Sequence, residues 1–162
     1  MTSRINDRST WTRQFNCYSK SQRMQSVVVL GNLPAESVLD RFVIQFGWTL
    51  EKAANLEALW LPKVRRDAVA VLFEATMWGL DWHKALRMVI DAAPAACPIL
   101  CHRLSVPLDW PELSAAGAFH ALSIPFRESE ARQTLGFVWA AKSRPRNAIP
   151  LREHGNFYRR AG

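Results

Sequence analysis

The sequence has few cysteines, no long apolar run and no glycine-rich phosphate loop. Its three cysteines cannot all pair within one chain, and its N-terminus lacks the apolar segment of a secretory signal, which together indicate a reducing, cytoplasmic compartment. Because no run of about 18 apolar residues occurs, we expect neither a transmembrane helix nor a membrane partner. Neither a phosphate-binding loop nor a Ser-His-Asp spacing is present, so we do not expect an enzyme.

The 162 residues suit one domain, and their charge is unevenly distributed along the chain. Hydrophobic residues make up 49% and charged residues 22%, as in globular proteins, while the net charge is +7. Residues 1–25 carry five basic side chains against one acidic, and residues 142–162 carry six against one. The segment 26–141 therefore has a net charge of −2. We predict a near-neutral domain over 26–141 between two basic extensions, the first of them flexible. A natural start at Met24 is an alternative to that first extension.

Short apolar segments alternate with amphipathic segments through the middle of the chain. We predict strands at 27–30, 48–54, 68–73, 98–101 and 118–124, and helices at 36–46, 55–61, 82–92, 109–116 and 127–141. Pro62 is expected to end the second of these helices. The strands do not alternate polar and apolar residues, which is typical of a parallel sheet covered on both faces. The pattern predicts an α/β fold, a doubly wound five-stranded parallel sheet of the flavodoxin type in a three-layer sandwich.

Ligands of such sheets bind at the carboxyl ends of the strands, and three motifs fall there. They are Gly-Asn-Leu-Pro at 31–34, Phe-Glu-Ala-Thr-Met-Trp-Gly-Leu-Asp at 73–81, and Ala-Gly-Ala at 116–118 with Ile-Pro-Phe at 124–126. In order and spacing they resemble the receiver domain of two-component response regulators. That family reads Asp-Asp-x-Pro, Asp-x-x-Met-Pro-Gly-x-Asp-Gly and Ala-Gly-Ala…Lys-Pro-Phe at these places. The resemblance covers about residues 26–141.

The resemblance implies phosphoryl transfer to an aspartate beside a bound Mg²⁺, yet the residues for this chemistry are replaced. The phosphoacceptor position is Glu74, and the acidic pair that would hold the metal is replaced by Gly31 and Asn32. Hard divalent cations need several oxygen donors, and Glu74 with Asn32 supplies too few. We therefore predict no metal site and no cofactor.

The remaining positions that the family uses to bind and sense the phosphoryl group are also replaced. By the resemblance, the hydroxyl position falls at His102 or Arg103, the lysine position at Ile124, and the aromatic switch position at Ala121. The family often has a cis bond after its lysine, so the resemblance implies a cis peptide bond before Pro125.

Glu74 has two interpretations. In one, its longer side chain imitates aspartyl phosphate and keeps the domain permanently active. In the other, which we favour, its carboxylate pairs with Arg103 across the former phosphorylation pocket.

Other candidate residues give weaker signals. Cys97 and Cys101 with His102 have a spacing that looks briefly like a metal cluster. Residues four apart on a strand lie about 13 Å from each other, so we expect a buried strand instead. His83 and His120 are lone histidines with no visible partner.

The tryptophans near the predicted site have two interpretations. Trp78 and Trp82 border the loop beside Glu74, and their rings either cover the emptied pocket or form an exposed contact surface.

Two functional hypotheses follow. The first is a phosphorylation-independent pseudo-receiver that binds a protein partner in signalling or its regulation. By the resemblance, it would dimerise through the face of helix 4, strand 5 and helix 5, which spans about 109–141. The alternative is a small regulator whose basic, aromatic-containing extensions bind nucleic acid. We favour the first, because the basic charge lies outside the domain.

Overall fold

The computed structural model describes residues 24–33, 36–74, 76, 79–103 and 108–143, and over these the chain forms five strands and five α-helices. The strands are β1 (Ser26–Leu30), β2 (Thr49–Ala53), β3 (Ala68–Glu74), β4 (Cys97–Arg103) and β5 (His120–Ile124). The helices are α1 (Glu36–Gln45), α2 (Pro62–Asp67), α3 (Trp82–Ala92), α4 (Trp110–Ala115) and α5 (Glu128–Ser143), with a 3-10 helix at Leu56–Trp60. The extensions 1–23 and 144–162, Cys17, Pro34 and Trp78 lie outside the described residues.

The strands form one parallel sheet in the order β2-β1-β3-β4-β5, which confirms the predicted doubly wound fold. Strand β1 shows how the layers are built. Val27 and Val29 face the core covered by α1 and α5, whereas Val28 and Leu30 face the core beneath the 3-10 helix, α2, α3 and α4. Because both sides are buried, each strand position must be apolar, and the uninterrupted Val-Val-Val-Leu run satisfies this.

The sequence did not predict helix α2, and the helix predicted at 55–61 is the 3-10 helix; the other elements differ from the prediction mainly at their ends. Pro62 begins α2 instead of only ending the preceding helix, since the first position of a helix needs no N–H donor and suits the fixed φ of proline. Strand β4 continues past the predicted Cys101 to Arg103, because its last two residues pair with β5. Helix α5 runs to Ser143, so the predicted boundary at 141 falls within its last turn. Within the described residues, no helix has both the length and the apolarity needed to cross a membrane.

Candidate functional site

The carboxyl edge of the sheet brings Glu74 of β3 and Arg103 of β4 together. Arg103 Nε lies 3.3 Å from Glu74 Oε1, and the hydroxyl of Thr76 donates to the same oxygen at 3.2 Å. The Glu74 side chain is 16% exposed, while that of Arg103 is 70% exposed and reaches the carboxylate from the solvent side. The structure thus has the ion pair that we favoured, and one carboxylate oxygen of Glu74 accepts from two donors.

His102, the other candidate for the hydroxyl position, does not join this group. Its Nδ1 lies 3.2 Å from the carbonyl oxygen of Arg103, so its ring contacts its own strand. Successive side chains of a strand point to opposite faces of the sheet, which separates His102 from Arg103. Among the two candidates, only Arg103 reaches the Glu74 carboxylate.

Gly31 and Asn32 follow β1 and border a cavity of about 460 Å³. Gly31 has a φ of 72°, in the left-handed region that favours glycine, and its N–H donates to the Ala53 carbonyl at 2.8 Å. Lys52 lines the same cavity. An aspartate at position 31 would carry a backbone cost of about 1 kcal/mol in this turn, so the local backbone favours the glycine that is present.

The donor set at this edge does not fit the Mg²⁺ that the resemblance implies. At the phosphoacceptor position the carboxylate of Glu74 is already paired with the guanidinium of Arg103 and also accepts from the hydroxyl of Thr76. A hard cation would have to displace Arg103, and the acidic pair that would hold it is replaced by Gly31 and Asn32. Across the described part of the chain, no group of three or more His, Cys, Asp or Glu residues is placed to hold a metal ion.

Ile124 and Ala121 lie on β5, and they pack on opposite sides of the sheet. Ile124 is buried with α1 and α5, and Ala121 packs against the opposite core. The peptide bond between Ile124 and Pro125 is cis. At these two positions the chain therefore has apolar residues that pack in the core, where the receiver family has a phosphate-binding lysine and an aromatic switch residue.

The face made by α4, β5 and α5 carries a row of three rings, Trp110, His120 and Phe137, which we call the aromatic row. The His120 ring meets Trp110 edge-on at 5.7 Å and Phe137 at 5.8 Å between centroids. Trp110 is 45% and Phe137 48% exposed. Burial lowers the pKa of His120, although the charge of Glu130 acts in the opposite direction. The expectation that His120 lacks a partner was wrong. The sequence did offer one sign of this contact. Phe137 is a large apolar residue that does not belong to the buried side of α5, so a contact elsewhere on the surface could have been expected for it.

The expectation of a lone His83 was wrong as well. His83 Nε2 lies 2.8 Å from Glu112 Oε1, which joins α3 to α4, and Nδ1 lies 3.7 Å from Asp81 Oδ1. Asp81 also caps α3 by accepting from the Lys84 N–H, and this hydrogen bond lowers the pKa of the Asp81 carboxyl. Trp82 stacks on the His83 ring and packs against the core on this side of the sheet. Its described contacts therefore anchor α3 and do not cover Glu74.

Both described cysteines are free and buried in β4. Burial raises the pKa of the Cys97 thiol, and for Cys101 the charge of Glu74 adds to the same upward effect. These thiols are packing groups of the strand, in agreement with the predicted buried β4.

The comparison with solved structures finds many receiver domains. The REC domain of AraT, a response regulator from Geobacillus stearothermophilus, matches with a TM-score of 0.59 and 11% identity over 74% of this chain and 95% of its own. The beryllofluoride-activated NtrC4 receiver domain dimer matches with a TM-score of 0.57 and 19% identity over 74% and 100%. A response regulator receiver protein from Pseudoalteromonas atlantica matches with 0.55 and 15% over 72% and 98%.

Neither a protein-family model nor a curated protein sequence matches the chain. At these low identities the structural matches establish the fold. The chain has the flavodoxin-like fold of receiver domains, and it covers nearly the whole length of the receivers it matches.

Proposed function

We propose that this chain is a pseudo-receiver, a signalling module that binds a protein partner without being phosphorylated. The ion pair of Glu74 with Arg103 is the observation that carries the proposal. It places a protein cation where a receiver's chemistry needs a metal and a phosphoryl group. Receiver domains are generally signalling modules without enzymatic activity and are typically cytoplasmic, and we propose the same for this chain, in two-component signal transduction or its regulation.

The substitutions at the carboxyl edge support this proposal together. Phosphoryl transfer relies on positioned charges around the reacting group, so the loss of one is costly and the loss of all abolishes it. Here Gly31 lies in a left-handed turn that favours glycine and Ile124 is buried in the core, so both positions are occupied by residues that suit their backbone or packing and carry no charge. In our proposal, the Glu74 carboxylate stabilises this edge through its ion pair with Arg103 and is not a site of regulated phosphorylation.

We propose that the partner is a second copy of the chain, bound through the face of α4, β5 and α5. Strand β5 is an edge strand of the sheet, and the aromatic row exposes two large rings beside it. Exposed aromatic rings at the centre of a face are typical anchors of protein interfaces. The NtrC4 structure, which shares this fold, is a receiver domain dimer, and this adds weight to a symmetric contact.

Phosphorylation is tested by incubating the full chain with acetyl phosphate and Mg²⁺ and measuring the intact mass. A receiver that carries the usual aspartate serves as the positive control. We expect the control to gain one phosphoryl group and this chain to gain none. A stoichiometric, base-labile adduct on Glu74 would contradict the proposal.

Association is tested by sedimentation velocity over a series of protein concentrations. We expect concentration-dependent dimers, and we expect them to be lost when Trp110 and Phe137 are both changed to alanine. The matched control changes Trp60 and Leu61, which are equally exposed apolar residues on another face, to alanine. Dimers that survive the first double substitution, or a chain that is monomeric at every concentration, would overturn the proposed dimer face.

A further inference from the structure

Helix α4 is attached to the rest of the domain by few side chains. Of its six residues, Leu113 alone is buried, in the core that also contains the apolar side of α3. Among the described residues, two polar or ring contacts join its side chains to other elements. Glu112 meets His83 of α3, and Trp110 meets His120 of β5. Both contacts use histidine, the residue type whose unperturbed side chain changes its charge between about pH 5 and 8.

His83 lies between two carboxylates that belong to different elements. Its Nε2 is 2.8 Å from Glu112 Oε1 on α4, and its Nδ1 is 3.7 Å from Oδ1 of Asp81, the residue that caps α3. A neutral imidazole has one N–H, so it donates to one carboxylate and turns a lone pair towards the other. An imidazolium donates from both nitrogens. Both carboxylates therefore face a donor only when the ring is protonated.

The charged groups around His83 are net negative. Asp81 accepts the N–H of Lys84, and this hydrogen bond lowers the pKa of the Asp81 carboxyl, so Asp81 is ionised throughout the range in which histidines titrate. Arg87 follows one turn later on α3 and lines a cavity of about 520 Å³ together with Asp81 and His83. Its positive charge opposes protonation of the ring. Two carboxylates, one from α4 and one from the start of α3, act against this single guanidinium.

The face of the His83 ring is covered by Trp82. The two rings stack at 3.5 Å between centroids with an angle of 21° between their planes, and Trp82 itself packs against the core. An aromatic face attracts a cation, so this stacking also suits the protonated ring. Because the stack limits the movement of the imidazole, a change in its charge acts mainly on the contact with Glu112.

We propose that His83 is a pH-dependent clamp between α3 and α4. When the ring is protonated, its ion pair with Glu112 fixes α4 on α3, and when the ring is neutral, α4 separates more readily from the domain. The clamp itself does not depend on the proposed function. Its consequence rests on that function, because α4 carries Trp110 of the aromatic row and the clamp thereby couples pH to the proposed dimer face.

The test measures amide hydrogen exchange of the full chain by mass spectrometry between about pH 5.5 and 8, with rates corrected for the intrinsic pH dependence of exchange. The peptide that contains α4 reports on the clamp, because the amides of Leu113 and Ala116 donate to carbonyl oxygens of this helix and its N-cap. The peptide that contains β3, the central strand of the sheet, reports on unfolding of the whole domain.

The reference protein for this test carries His120→Gln. His120 contacts Trp110 of α4, and burial lowers the pKa of His120, so its protonation favours an open α4 and opposes the effect of His83. Glutamine removes this contribution and leaves the His83 contact in place. The series is measured at two protein concentrations, because protection that comes from association changes with concentration and protection by the clamp does not.

We expect the protection of α4 in the reference protein to rise roughly 1.5- to 5-fold from pH 8 to 5.5, the range for one exposed ion pair. Adding His83→Gln, which keeps a donor that does not titrate, should abolish this rise. Adding Glu112→Gln should abolish it from the other side of the contact. The matched control adds Glu128→Gln, which removes the carboxylate of the exposed pair with Arg41 on another face, and should leave the rise unchanged.

Three outcomes would overturn the clamp. They are an α4 protection that does not change with pH in the reference protein, an equal rise after His83→Gln, and a rise of the same size in the β3 peptide, which would mean that His83 stabilises the whole domain. A chain that is monomeric at every concentration contradicts the proposed dimer face alone, because the exchange of α4 is measured in the monomer as well.

Discussion

Gly117 and Ile90 are in close approach where α4 ends. Gly117 has a φ of 101°, and a Cβ at this position would lie 3.0 Å from Cδ1 of Ile90. The glycine follows the helix and lets the chain turn into β5, while Ile90 of α3 fills the space that a side chain would need. The junction of α4 with the sheet thus depends on a residue without a side chain.

Changing Gly117 to alanine should therefore destabilise the fold. Left-handed backbone costs an alanine about 1 kcal/mol, and displacing Ile90 adds to this, so we expect a loss of about 1–2 kcal/mol in the free energy of unfolding. Chemical denaturation of wild type and variant measures it.

The matched control is Gly136→Ala. Gly136 lies within α5, has ordinary helical backbone, and has open space around the position of a Cβ. Alanine has the higher helix propensity, so this variant should gain up to about 1 kcal/mol. A Gly117 variant as stable as wild type would show that Ile90 moves aside without cost.

The ion pair of Arg103 with Glu74 should contribute little to stability. Arg103 is largely exposed, and solvent-exposed pairs contribute roughly 0.2–1 kcal/mol. A double-mutant cycle with Arg103→Met and Glu74→Gln isolates the coupling free energy from the effects of either change alone. We expect a coupling below about 1 kcal/mol that falls further at high salt. A coupling above about 2 kcal/mol would mean that the pair is a main support of this edge.

The strands follow from the sequence because they depend on local patterns, and right-handed crossovers between parallel strands then restrict the sheet to the doubly wound, flavodoxin-like type. Continuous apolar runs such as Val27–Leu30 predict buried parallel strands, and the observed sheet is parallel and doubly wound, with β1 buried along its whole length. Helix α2 is absent from the prediction, which has Pro62 only end the preceding helix, although proline can both end and begin helices. The pairing of His83 with Glu112 could not be predicted, because the two residues are 29 positions apart in sequence and meet only through the way α3 and α4 lie on the sheet.

The candidate site divides in the same way. The replacement of single residues of the receiver pattern, such as the phosphoacceptor by Glu74 and the lysine by Ile124, can be seen in the sequence once its motifs are aligned with that pattern. The aromatic row is not visible there, because its rings come from α4, β5 and α5 and meet only when the elements pack. The charged extensions, by contrast, are plain in the composition.

The buried thiols should resist modification in the folded protein. The thiolate is the reactive form, and burial both blocks access to Cys97 and Cys101 and raises the pKa of each thiol. In a Cys17→Ser variant of the full chain, we expect a disulfide reagent to react at least about 100-fold more slowly with the native protein than with the unfolded protein in urea. Rapid native reaction of two thiols would show that β4 opens easily.

His120 should make the stability of the fold depend on pH. Its pKa is lowered in the folded state by burial, so the unfolded state takes up the proton first as the pH falls through the ordinary histidine value of 6.5. Above that value the histidine is neutral in both states and contributes no pH dependence. Below it, the unfolded state binds more protons, and the free energy of unfolding decreases until the folded histidine is protonated as well.

The measurement is the difference in pH dependence between wild type and His120→Gln, which keeps a polar side chain but cannot titrate. We expect wild type to lose more stability than the variant on acidification. Equal slopes, or a steeper loss in the variant, would mean that burial does not disfavour the charged imidazole of His120.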